Sequence, residues 1–253
     1  MDLNYKEFGQ GEPIIILHGL FGTLDNWQTI AKQLADEYSV YIIDQRNHGR
    51  SPHAGEHDYC HMVEDLREFM ESHWIYNAHL IGHSMGGKTA MQFALEHPAM
   101  VNKLVVVDIA PKAYSSAHSD IFEALMSLHP EKIKDRNEAN ELLSQKIDSE
   151  SVRQFLLKNL SRRKKGGYEL KMNLPVLYEH YDDILAAVEG EPFEKPTLFI
   201  RGGRSHHIEA GDGILIHQLF PNAVIETIEN AGHWVHAEQP AELLRLVEEF
   251  LAN

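Results

Sequence analysis

The stretch Asn77-Ala78-His79-Leu80-Ile81-Gly82-His83-Ser84-Met85-Gly86-Gly87 passes from an apolar, strand-like segment into a helical pattern and sets a serine at the junction. That is the pattern of a nucleophile elbow, a sharp strand-to-helix turn whose strained backbone lifts the serine hydroxyl clear of its neighbours. Gly82 and Gly86 sit two residues before and after Ser84, where a Cβ would collide with the adjoining strand or helix, and Gly87 keeps the first helical turn slim. The alternative is a serine at an ordinary helix N-cap. Residues 88–97 carry Ala90, Met91, Ala94 and Leu95 at helical spacing and end at Pro98, so strand, turn and helix are all present.

Outward from the elbow, short β-rich runs alternate with helical patterns. Strands are expected at 13–17, 39–43, 78–81 and 104–107, with helices at 27–38, 63–74 and 88–97 between and after them. Ile14-Ile15-Ile16-Leu17 and Leu104-Val105-Val106-Val107 are apolar at every position, which suits a mostly parallel central sheet covered by helices on both faces. From 111 to 192 no strong strand signal occurs; helices are expected at 121–128, 136–145 and 151–160, followed by a polar, basic stretch. Alternation resumes with strands at 196–200 and 223–228 and helices at 211–220 and 241–251. The α/β expectation is therefore a core of residues 1–110 and 193–253, with 111–192 a helical cap inserted after the strand that ends at Asp108. Helices inserted there roof the sheet edge where open α/β sheets bind ligands.

With 253 residues, 43% of them hydrophobic, the chain can bury one sizeable core. A formal charge of −15 argues against nucleic acid and anionic membrane surfaces as partners. Cys60 is the single cysteine, so no intramolecular disulfide forms, and a reducing cytoplasm is the expected location. The N-terminus lacks a secretory pattern, and no run approaches the ~18 apolar residues of a membrane helix. An amphipathic cap leaves room for a homodimer that no sequence feature specifies.

A serine hydroxyl needs a base to take its proton as it attacks an acyl carbon. Of 17 histidines, His233 in Asn230-Ala231-Gly232-His233-Trp234 is favoured, because it lies between the last strand and the last helix, at the sheet edge that carries Ser84. His18, His83 and His236 are read as structural or supporting. The base needs a carboxylate to fix its tautomer. The loop after residue 200 reads Arg201-Gly202-Gly203-Arg204-Ser205-His206-His207, with Ser205 where a carboxylate is expected. One strand earlier, Asp108 ends 104–107 beside the elbow strand and is the expected acid; Glu209 and Asp212 are the alternatives. Backbone N–H groups must hold the developing oxyanion. Met85, after the nucleophile, supplies one, and Leu20 in His18-Gly19-Leu20-Phe21-Gly22-Thr23 the second, with Phe21 close behind.

HGLFGT, DQRNHGRS, GHSMGG and NAGHWVHAEQP together resemble the α/β-hydrolase serine hydrolases over essentially the whole chain. The pairing of VVVDIAP with RGGRS is similar to that of the YbfF-like bacterial esterases and their mitochondrial relatives. The resemblance implies Asp108 as acid, Ser205 as its supporting neighbour, and hydrolysis of short-to-medium acyl esters or acyl-CoA thioesters through an acyl-serine, with no cofactor.

Other signals receive plainer readings. His53, His57, Cys60 and His61 do not match a zinc spacing, so no metal is expected. Arg46 and Asn47 are read as bracing a hydrogen-bonded loop. Arg162-Arg163-Lys164-Lys165 is a solvated loop or an attractor for the phosphates of an acyl-CoA. Phe122, Leu125, Phe155 and Tyr178 are candidates to line an acyl pocket. A C–C bond hydrolase on the same framework and an idle hydrolase fold serving as a ligand receptor remain alternatives, the second suggested by the missing carboxylate after Ile200.

Overall fold

A computed structural model describes residues 1–116 and 118–253. Among them seven strands form one sheet: β1 (Tyr5–Phe8), β2 (Glu12–Leu17), β3 (Tyr38–Ile43), β4 (Ala78–His83), β5 (Val101–Val107), β8 (Thr197–Gly202) and β9 (Ala223–Ile228). Their order is β1-β3-β2-β4-β5-β8-β9. Only the β1–β3 pair is antiparallel. Strand alternation sends neighbouring residues into different cores. Ile15, Leu17, Leu104, Val106 and Phe199 meet α2 (Tyr59–Ser72), α3 (Met85–Glu96) and α9 (Asp212–Leu219) on one face. Ile14, Ile16, Val105, Val107, Leu198 and Ile200 meet α1 (Gln28–Leu34) and α10 (Pro240–Ala252) on the other. Both faces are covered, as the continuous apolar runs require.

Residues between β5 and β8 form α4 (Ser119–Ser127), α5 (Arg136–Ser144), α6 (Glu150–Leu157), α7 (Leu174–Glu179) and α8 (Tyr181–Leu185). They share a third apolar cluster with Leu20, Phe21, Tyr59, Met62 and Met85 of the remaining chain. The sequence reading of this segment needs one correction, because it also contains a hairpin, β6 (Leu160–Arg162) and β7 (Tyr168–Leu170). Three residues per strand are too few to register as periodicity. The basic run lies on the hairpin's exposed turn, which Arg163 closes by accepting from Gly166 N and donating to Gly167 O.

Register sets the site. Leu17 pairs with Gly82, His83 with Val107, and Val107 with Ile200. The first residues beyond β4 and β5, Ser84 and Asp108, therefore emerge side by side at one sheet edge. Ser84 N donates to Val107 O at 3.1 Å and Asp108 N to Ile200 O at 2.8 Å. No described helix is long and apolar enough to cross a membrane.

Candidate active site

At the β4–α3 turn Ser84 adopts φ 53° and ψ −121°, a sparsely populated conformation for a side-chain-bearing residue that costs about 1–3 kcal/mol. Close packing around the turn enforces it. A Cβ on Gly82 would strike the Gly86 carbonyl, and one on Gly86 would strike the backbone of Leu17 and His18 in the neighbouring strand. The glycines are thus required by sterics on both sides of the serine.

Ser84 Oγ lies 3.1 Å from His233 Nε2, and His233 Nδ1 lies 2.8 Å from Asp108 Oδ2. With Nδ1–H donated to the carboxylate, Nε2 is left to accept the serine proton. Asp108 is fully buried. Its Oδ1 accepts from Gly202 N at 2.9 Å, and its Oδ2 also accepts from the Ser205 hydroxyl at 2.5 Å. Burial pushes the Asp108 carboxyl above the usual range, and these two hydrogen bonds pull it back. Burial likewise lowers His233, which keeps the imidazole neutral and able to act as a base near pH 7. Glu209 and Asp212, the alternative acids, turn away to Lys112: Asp212 Oδ2 approaches its Nζ at 2.8 Å and Glu209 Oε2 at 3.8 Å.

Among the described residues neither Leu20 N–H nor Met85 N–H has an intramolecular acceptor. Phe21 N–H is different: it donates to His48 Nε2 at 3.3 Å. Burial lowers His48 to about 3, so this ring stays a neutral acceptor and the Phe21 amide is committed. His18 Nε2 accepts from Gln45 N at 3.0 Å, tying the same loop to residues 44–51. That second loop is braced as expected, with Arg46 and Asp65 in a buried two-point ion pair at 2.6 and 2.9 Å and Asn47 Oδ1 accepting from Ala54 N. His83 sits 2.8 Å from the His233 carbonyl through Nε2. His236 stacks on Trp27.

Ser84 faces a cavity of about 50 Å³. Its walls were only partly foreseen. Tyr114, His118, Tyr181 and Leu185 enclose it from the inserted segment, whereas Phe122 and Tyr178 line a neighbouring pocket, Leu125 an outer groove, and Phe155 packs on Trp234. His207 also escaped notice. Its ring stacks on His233 at a 3.7 Å centroid separation, with Nδ1 3.2 Å from Ser205 Oγ. Its position two residues after Ser205 was the available signal. Asp108, His207 and His233 bring three potential ligand atoms within 4.8 Å, but Asp108 Oδ2 and His233 Nδ1 already engage each other. His57, by contrast, is buried against Asn47 and Met85, while Cys60 is exposed.

Lys88 follows Ser84 by one helical turn and also borders the cavity. It is 1% exposed, and its ammonium donates to Leu185 O at 3.1 Å and Ala186 O at 2.5 Å, with Tyr114 and Tyr59 rings 4.8 and 5.8 Å away. No described carboxylate pairs with it, and burial pushes it down to about 7. The unfolded chain, titrating near 10.4, binds more protons between these values, so this group disfavours the folded state fully below pH 7 and ceases to do so above about pH 10.4. Lys88→Met should therefore gain on the wild type by up to ~4 kcal/mol as pH falls from 10 to 7. Urea unfolding of both proteins at the two pH values reads this change; a constant difference would show that Lys88 titrates normally.

Residues 12–240 match the alpha/beta hydrolase fold family. The chain is 40% identical over 248 residues to mouse sn-1-specific diacylglycerol lipase ABHD11, covering 94% of this chain and 80% of that protein. It is 36% identical over 242 residues to Escherichia coli esterase YbfF, covering 94% and 92%. The solved structure of a marine microorganism esterase superposes with a TM-score of 0.96 at 45% identity, covering 98% of both chains. A parallel sheet whose edge carries a strained serine, with relatives of this similarity along nearly the whole length, establishes that the chain belongs to the α/β-hydrolase family and is a hydrolase of the esterase/lipase type.

Proposed function

We propose that the protein hydrolyses short-to-medium acyl esters, and acyl-CoA thioesters, through an acyl-serine on Ser84. The observation that carries this reading is the continuous relay from Ser84 Oγ through His233 to Asp108 at the wall of a small cavity. His233 Nε2 takes the serine proton as Oγ bonds to the acyl carbon, and the Leu20 and Met85 amides receive the oxyanion. Collapse of the tetrahedral adduct expels the alcohol or thiol, protonated by His233. A water then attacks the acyl-serine with His233 again as base, releasing the acid. Asp108 holds the imidazole's tautomer and stabilises the imidazolium. Ser205 donates to Asp108 and thereby favours its charged form.

The inserted segment 111–192 acts in this reading as the cap over the cavity. About 50 Å³ accommodates roughly four water-sized volumes, which supports a short acyl group. The free, exposed Cys60 supports a reducing, cytoplasmic setting. The reach of Asp108 to His233 weakens the idle-receptor alternative, which rested on the missing carboxylate after β8.

The direct test is turnover of p-nitrophenyl esters and matched acyl-CoA thioesters, with a burst of p-nitrophenol marking the acyl-enzyme. Absence of turnover on every ester and thioester would overturn the proposal. Thioester use has its own variant. The exposed run Arg162–Lys165 supports attraction of CoA phosphates, so reversing charge at Arg163 and Lys164 to Glu should lower kcat/KM for acetyl-CoA about tenfold at low salt and leave p-nitrophenyl acetate unchanged. The difference should shrink as salt screens it; equal effects on both substrates would remove the phosphate role.

A further inference from the structure

Two cavities meet at one side chain. The Ser84 cavity, about 50 Å³, is bordered on the inserted-segment side by Tyr181 and His118, and a pocket of about 390 Å³ lined by Phe122, Glu123, Tyr178 and again Tyr181 adjoins it. Tyr181 is 7% exposed. Its hydroxyl lies 2.6 Å from His118 Nδ1 and 3.1 Å from His118 N, and its ring meets Phe122 edge-on at 5.0 Å. Burial keeps His118 below the usual imidazole range, so the contact joins neutral partners and carries no ion-pair energy. The far end of the same short helix is anchored to the core: Tyr59 donates to Ile184 O at 2.7 Å, and Lys88 donates to Leu185 O and Ala186 O. Helix α8 is therefore fixed at its C-terminal end, and at its N-terminal end the Tyr181 hydroxyl meets His118 while its ring meets the rings of His118 and Phe122.

The geometry points to Tyr181 as the residue that sets acyl-chain length, a partition between the reacting cavity and an outer pocket already large enough to receive a chain. This rests on the ester-hydrolase reading above. Removing the ring joins the two spaces. A chain that crosses then buries further methylenes, each worth about fourfold in binding when fully covered.

The experiment compares p-nitrophenyl butyrate and octanoate on wild type, Tyr181→Ala, Tyr181→Leu and Tyr181→Phe, with decanoic acid binding followed by calorimetry. Tyr181→Ala should raise the octanoate-to-butyrate ratio of kcat/KM at least tenfold, and Tyr181→Leu should raise it less. Tyr181→Phe should keep the wild-type ratio, because the ring and not the hydroxyl fills the partition. Decanoate should bind the alanine variant about tenfold tighter than wild type. An unchanged ratio and unchanged decanoate affinity in folded Tyr181→Ala or Tyr181→Leu would overturn the partition. If no protein turns over esters yet the alanine variant gains decanoate affinity, the partition stands and the reaction assignment falls.

Discussion

Ser84→Ala should lower kcat for p-nitrophenyl butyrate by about a million-fold, with the thermal unfolding midpoint essentially unchanged. The fold is expected to survive because alanine retains the Cβ that the φ 53° turn already tolerates, and the packing that enforces the turn comes from Gly82 and Gly86, not from the hydroxyl. His233→Ala should cost a similar factor, and the double variant should lose little more, since neither group works without the other. That non-additivity separates a serine–histidine unit from two independent binding contacts. Ester hydrolysis by the protein's 17 histidines sets a background for activated esters, so the rate should be paired with mass spectrometry after an organophosphonate probe. One adduct, on Ser84 and absent from Ser84→Ala, is expected. Retention of even a hundredth of wild-type turnover by Ser84→Ala would remove Ser84 as nucleophile.

What could be read from the sequence divides along a physical line. Strands buried on both faces announce themselves, as the continuously buried runs 14–17 of β2 and 104–107 of β5 do. Strand β1 does not, because Tyr5, Lys6 and Glu7 are exposed at a sheet edge and carry no apolar pattern. Helices α7 and α8 are six and five residues long, too short for helical spacing to emerge. Local chemistry likewise revealed the elbow and the loop of His233, and strand order then singled out Asp108. The choice between Leu20 and Phe21 needed more, since it turns on a bond from Phe21 to His48, 27 residues away. Spacing on α4 likewise identifies an apolar face but not which space that face borders: Phe122 lines the pocket beyond Tyr181 and Leu125 an outer groove. Lys88 was within reach, being one turn after Ser84 on the same helix.

Asp108→Asn should lower kcat about ten-thousand-fold while leaving the fold intact. The backbone poses no obstacle. Asp108 has φ 52°, and asparagine is among the residues that best tolerate this region. An amide could still accept from Gly202 N through its oxygen, but its NH₂ would then face His233 Nδ1 and favour the tautomer whose Nε2 carries a proton, which cannot take one from Ser84. The Ser205 hydroxyl would also lose its charged acceptor. Because Ser205 Oγ reaches Asp108 Oδ2 beside His233 and occupies the loop position after β8 where a carboxylate ordinarily stands, a carboxylate placed there is well situated to substitute. Asp108→Asn/Ser205→Asp should recover at least tenfold over Asp108→Asn alone, whereas Ser205→Asp in the wild-type background should be impaired, since two buried carboxylates in contact cannot both ionise comfortably. The kcat values of these three variants on p-nitrophenyl butyrate decide the matter. Near-normal turnover by Asp108→Asn would disqualify it as the acid and return attention to Glu209 and Asp212, which would first have to leave Lys112.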